Sequence, residues 1–302
     1  LLSGKDVNLN LSGDLTNSGT IAGRNVVSLT AENVNNLGGR VDGNDVSVSA
    51  RQDLNNIGGS ISAVNSLNAS AGRDLNVQTT TTSGTNAQGS HTGIDRVAGL
   101  YVSGANGVLV ASAGRDLNIV AGVVSNAGSG ATSLSAGNNF TLATVKTGEQ
   151  NSITWNADNH LNYGNTQTVG STINGGGNVS LKAGNDLTAT AANVKAAQAL
   201  DMQAGGNVNV LAGQNTSSID EAHRVTYRGF FGSSTATTKN VNSVSTVVGS
   251  ELNGDSINII AGGSVAVKAS ELTAANTIAI NATRDISVES GRNTQSIKPA
   301  EF

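Results

Sequence analysis

Apolar and polar residues alternate by two through most of the chain, in short bursts separated by glycine. Ala71-Gly72-Arg73-Asp74-Leu75-Asn76-Val77 returns as Ala113-Gly114-Arg115-Asp116-Leu117-Asn118-Ile119 and as Ala183-Gly184-Asn185-Asp186-Leu187-Thr188-Ala189. Looser copies begin at Ser3, Ala136, Ala204 and Ala261. Each copy is a glycine, a polar corner and an apolar/polar/apolar alternation, which marks a strand with one buried face. A unit this short cannot bury its face alone, so the copies must stack on one another.

The spacing of the copies sets the architecture. Asp14-Leu15, Asn33-Val34, Asp53-Leu54 and Asp74-Leu75 lie 19, 20 and 21 residues apart, and Ile21, Val41 and Ile61 recur every 20. The corner Asn35-Asn36-Leu37-Gly38-Gly39 reappears as Asn55-Asn56-Ile57-Gly58-Gly59; beyond residue 174 the period is 21, from Leu187 to Val208 and from Val265 to Ile286. Helices are excluded by the period-2 alternation and by glycine at every turn. Leucine-rich repeats need a denser leucine pattern. The remaining fold is all-β, a right-handed parallel β-helix with about three short strands per coil.

Three stretches break the pattern, at about 79–108, 146–172 and 214–251, and the coil motif resumes after each. They are expected to be hairpins projecting from one continuous β-helix domain over 1–293, with 294–302 a frayed tail. Subtracting them leaves about ten coils and a rod of roughly 50 Å. Glu301-Phe302 after Pro299 reads as an appended remnant, and the chain as an internal segment of a longer one.

Composition changes this picture little. The 302 residues include 38 Gly, 1 Pro and no Cys, with 13% charged and 3% aromatic residues. The core must therefore be built from Leu, Val, Ile and Ala. Without cysteine there is no disulfide scaffold and no thiolate metal site. The net charge of −4 gives no electrostatic reason for a nucleic-acid partner. The corner acids (Asp6, Asp14, Asp53, Asp74, Asp116, Asp186 and Asp285) alternate with Asn33, Asn139, Asn207 and Ser264. They read as side chains that bond their own turns, not as a calcium ladder. Gly175-Gly176-Gly177 lacks the Lys-Ser/Thr of a phosphate loop and reads as a turn. No cofactor or metal is expected.

All three histidines, and nearly all aromatics, fall in the interruptions. The candidate partner-binding residues are Tyr101, Trp155, His160, Tyr163, His223, Arg224, Tyr227, Arg228, Phe230 and Phe231. Two readings are open: the hairpins pack their aromatics on the helix wall as satellite cores, or they present them to a partner or glycan. Asp220-Glu221 with His223 and Arg224 is the densest titratable cluster. It lacks a nucleophile and a second convergent acid, so it reads as a charged hairpin edge and no catalytic residue is assigned. The alternative function is a β-helical polysaccharide-degrading enzyme.

The Ala-Gly-Arg/Asn-Asp-Leu-x-Val coils, the Asn-Asn-x-Gly-Gly corners and the insertion Gly229-Phe230-Phe231-Gly232-Ser233-Ser234 resemble the haemagglutinin-repeat region of filamentous haemagglutinins. They are equally similar to the stalk of the related contact-dependent growth-inhibition toxins. The resemblance implies an exoprotein exported by two-partner secretion to the surface of a Gram-negative bacterium. It would be used for adhesion or toxin delivery, with an outer-membrane transporter and a target-cell receptor or glycan as partners. The segment itself is expected to be monomeric.

Overall fold

The computed structural model describes residues 1–298, and among them every regular element is a strand. Two parallel sheets of 14 and 10 strands wind the chain into a parallel β-helix of ten coils, the number expected from the repeat. Each coil contributes a long strand such as Thr20–Ala31, bent where the register shifts between Ala22 and Val26, and a short one such as Val34–Leu37. In the middle coils the long strand divides in two, as in Val123–Asn126 and Thr132–Ala136. Three legs per coil result.

The Leu-x-Val half of the motif supplies the interior. Leu75, Leu117, Phe140, Leu187 and Val208 pair in register along the second sheet, and each is fully buried. Phe140 is the one aromatic in this stack. Burying each such side chain contributes about 1.5–3 kcal/mol, and every inward position repeats the gain.

The polar half of the motif does something the sequence reading did not anticipate. Asp6 is not at a corner but within the strand Leu2–Asn10, at a register shift; the other corner acids and amides do not serve their own turn but bond the next coil. Asp14 Oδ1 accepts from the Asn33 N–H, Asn33 Oδ1 from Asp53, Asp53 Oδ1 from Asp74, and Asp74 Oδ1 from Asp116. The ladder continues through Asn139, Asp186, Asn207 and Ser264 to the Asp285 N–H. Asp, Asn and Ser are interchangeable here because the position requires only an acceptor oxygen. Arg73 donates to Asp53 at 2.5 and 2.8 Å, Arg115 to Asp74, and the Arg73 bond holds the Asp53 carboxyl below its ordinary pKa.

Two further ladders run through asparagine. Asn17, Asn36 and Asn56 are buried, with amide links of 2.8 and 2.7 Å between coils, and the series ends on the Gly99 carbonyl. Outside, Asn118, Asn76, Asn55 and Asn35 form a second chain of amide bonds. A buried amide is tolerated only when its donors and acceptor are used; here the neighbouring coils use them.

The motif glycine is also redefined. None of Gly72, Gly114, Gly137, Gly184, Gly205 and Gly262 has positive φ, so they are not needed for a left-handed turn. A Cβ at Gly114 would sit 2.1 Å from the Gly72 carbonyl oxygen, and at Gly137 2.1 Å from that of Gly114. The same approach recurs at Gly184, Gly205 and Gly262. Glycine is required because successive coils touch there.

Gly137→Ala is therefore expected to destabilise the chain by about 1–3 kcal/mol through overpacking, whereas Gly13→Ala, with open space at its Cβ, should change stability little. Urea unfolding of the two variants checks this; equal midpoints would remove the close-approach explanation.

Candidate outer-sheet interaction surface

The three interruptions occupy one position in the fold. Each leaves the end of a second-sheet strand and returns to the start of a long-sheet strand, at the fourth, sixth and eighth coils. The intervening coils turn the same corner with two residues, Ala121-Gly122, Ala191-Ala192 and Ala269-Ser270. Ala121, Ala191 and Ala269 have φ of 46, 45 and 48°, and among the described residues they are the only non-glycine ones with positive φ.

The hairpins are formed by Thr80–Asn86 with Gly89–Arg96, Val145–Asn156 with Asn159–Val169, and Gly213–Gly229 with Gly232–Val248. The expected boundaries are corrected accordingly. Gly99–Val102 pairs with coil strands on both sides, so Tyr101 belongs to the helix and not to the first hairpin. Its half-burial raises the pKa of its hydroxyl. Thr172 and Glu251 likewise begin coil strands.

The hairpins do not stand apart. They join edge to edge in a seven-stranded antiparallel sheet outside the helix. Its last strand is Thr294–Lys298, which pairs with Val241–Ser245. The expected frayed tail is thus ordered over those five residues, while 299–302 lie outside the described residues. A hairpin on every second coil supplies two strands for two coils of height. Strand spacing is about 4.8 Å in both sheets, so the outer sheet climbs at the pitch of the helix.

Buried hydroxyls fasten the two together. Thr79 Oγ1 donates to the Ala121 carbonyl at 2.6 Å and accepts from the Ala98 N–H. Ser171 Oγ lies 2.7 and 2.9 Å from the Ile119 and Ala143 carbonyls, and Ser250 Oγ 2.7 Å from that of Leu211. Each hydroxyl sits at a hairpin base and reaches a neighbouring coil.

The outer sheet is a single layer. Among its described strand residues only Ala222 is buried, so the satellite-core reading is corrected: the aromatics do not pack on the helix wall. Trp155, at the end of the second hairpin, is 59% exposed, its ring centroid 6.3 Å from that of His223. Tyr163 lies mid-strand between Asn151 and Ile219.

The titratable cluster splits by strand alternation. Asp220 faces His160 on the neighbouring strand at 3.2 Å, Glu221 faces His223 at 2.5 Å, and Arg224 reaches Asp158 at 3.0 Å. Adjacent strand residues point to opposite faces, so the two acids do not converge on one atom. Among the described residues no three His, Asp or Glu side chains are placed to share a metal ion.

The hairpins lengthen along the axis. Their strands have 7 and 8, then 12 and 11, then 17 and 17 residues. Pairing between the second and third ends at His160 opposite Ala222. Beyond it Tyr227, Arg228, Phe230 and Phe231 continue on a free two-stranded ribbon. Phe230 and Phe231 form its tip at 97% and 100% exposure.

A family model described as Hemagglutinin repeat matches residues 92–226 and 231–300. The chain belongs to the haemagglutinin-repeat family. The match covers the outer sheet from the second strand of the first hairpin onward, except residues 227–230 near the tip of the third, together with six of the ten coils. No curated protein and no solved structure matches the chain. Haemagglutinin-repeat proteins are secreted, surface-exposed exoproteins with an adhesin-like, structural role, and their general context is two-partner secretion.

Ser171→Ala is expected to cost about 1–2 kcal/mol, because it strips a buried hydroxyl from the second hairpin's base. Ser90→Ala, on the exposed part of the first hairpin, should cost nearly nothing. Chemical unfolding of both variants provides the comparison.

Proposed function

We propose that this chain is a stalk segment of a bacterial cell-surface exoprotein, a rigid rod that holds its outer sheet toward a partner surface. The observation that carries the reading is the fusion of three hairpins, all inserted at one corner, into a single sheet whose most exposed large hydrophobic side chains are aromatic. Ten coils rise about 45 Å. The ladders of corner and asparagine side chains tie each coil to the next along that height. The candidate contacts are Trp155, His160, Tyr163, His223, Arg224, Tyr227, Arg228, Phe230 and Phe231; Tyr101, on the coil wall, is the least suited of the original set.

The setting is a Gram-negative cell, with an outer-membrane two-partner transporter exporting the parent protein and a receptor or glycan on the target. Adhesion and toxin delivery both need reach and presentation, and the family match supports the adhesin-like setting. Stacking by nearest neighbours also suits export as an unfolded chain, since each emerging coil finds its template in the one before.

Excising residues 213–249 tests the division of labour. It joins Ala212 to Ser250-Glu251 and so rebuilds the plain corner found at Ala269-Ser270-Glu271. The parent protein carrying this deletion is expected to be secreted normally and to lose binding to target cells by about tenfold or more. Undiminished cell binding would reduce the hairpin to a packing element.

A further inference from the structure

The free ribbon of the third hairpin differs in charge from the rest of the chain. Residues 222–240 carry Arg224, Arg228 and Lys239 and no carboxylate, in a chain of net charge −4. From Ala222 to the turn the ribbon extends seven residues past the second hairpin, or about 23 Å. Its turn is Phe230-Phe231, and Tyr227 behind it is 63% exposed. The intervening positions are Ser, Thr, Ala and Gly. Arg228 stands next to the turn, whereas Arg224 is held by Asp158 and Lys239 lies opposite Ala222 at the base of the ribbon. The phenyl rings, fully exposed at the end of a projecting turn, bury nothing in the fold.

Two kinds of anionic partner could match that charge, and ring geometry separates them. A sugar stacks on a flat aromatic platform. Phe230 and Phe231 meet edge to face, with centroids 5.2 Å apart and planes at 80°, so they offer no such platform. Neither ring has a hydrogen-bonding group to orient a hydroxyl. What two crossed phenyl rings can do is enter an apolar medium together, while Arg228, next to the turn, remains at the boundary with its charged end in the headgroup layer.

We propose that the tip of the third hairpin is an interfacial anchor for an anionic lipid surface, with Phe230 and Phe231 inserted among the acyl chains and Arg228 on the headgroups. The proposal rests on reading the outer sheet as the presented surface and names what its foremost part contacts. Insertion is shallow, since the strands behind the turn are Ser/Thr-rich and would not enter hydrocarbon. It needs no rearrangement of the ribbon, because the rings are already exposed. Attraction by Arg228 and by the carboxylate-free ribbon behind it makes binding salt-dependent.

The whole 302-residue chain is sedimented with sucrose-loaded vesicles of phosphatidylglycerol and phosphatidylethanolamine, and with vesicles of phosphatidylcholine alone. Binding is expected to the anionic vesicles only. It should fall at least tenfold in the Phe230→Ser/Phe231→Ser variant and severalfold in Arg228→Gln. Neither change touches a packed residue. In a second measurement, Phe231→Trp fluorescence should be quenched by lipids brominated on their acyl chains. Absence of binding, binding indifferent to the two phenylalanines, or full competition by a soluble anionic polysaccharide overturns the lipid assignment. If vesicles fail while excision of 213–249 still abolishes cell binding, the presented-surface reading stands and only the lipid inference falls.

Discussion

Backbone hydrogen bonding between strands fixes one distance, about 4.8 Å, and the architecture is organised by it twice. Along the helix it is the rise per coil. In the outer sheet it is the step between strands of successive hairpins. The two agree because the insertions come at every second coil and each brings two strands. Hairpins on every coil would be crowded at twice the required density, and hairpins on every third would leave gaps. The two-residue corners with positive-φ alanine lie between them, where the chain has no room for more.

Within the helix, the same spacing assigns each motif position a role that no single coil reveals. Leucine and valine fill the interior, the corner oxygen bonds the next coil's N–H, and glycine lets two backbones approach. In that inward row asparagine occupies only the first three coils, as Asn17, Asn36 and Asn56; Val77, Ile119 and Leu142 then take it over. The change comes with the first hairpin, whose downstream coil residue Gly99 accepts the last buried amide. Polar and apolar fillings of one row thus meet at the point where the outer sheet begins.

The period and the alternation made the β-helix legible, because burial acts on every coil alike and writes the same pattern each time. Other features were hidden because they depend on pairs of residues distant in sequence. Asp74 looks like a turn residue, and only coil stacking shows that it serves Asp116 forty-two residues away. Tyr101 looked like part of an insertion because Gly99–Val102 is too short to show its register. Residues 294–298 looked like a tail since nothing in Thr-Gln-Ser-Ile-Lys announces a partner at Val241–Ser245. The fusion of the hairpins depended on counting coils between insertions, not on composition. The exposed tip was partly legible: Gly-Phe-Phe-Gly is an unusual turn, but its freedom from the helix wall follows from the ribbon's length.

Matched pitch is the central claim, and inserting one coil tests it. Duplicating Leu187–Asn207 places a second plain corner between the second and third hairpins and moves them apart by about 4.8 Å. Hydrogen exchange then reads both sheets at once. The account predicts that coil amides such as those of Leu187 and Val208 stay protected, while protection is lost between Asn159–Val169 and Thr216–Ala222, which pair in the unaltered chain. Retained protection between those strands would contradict it.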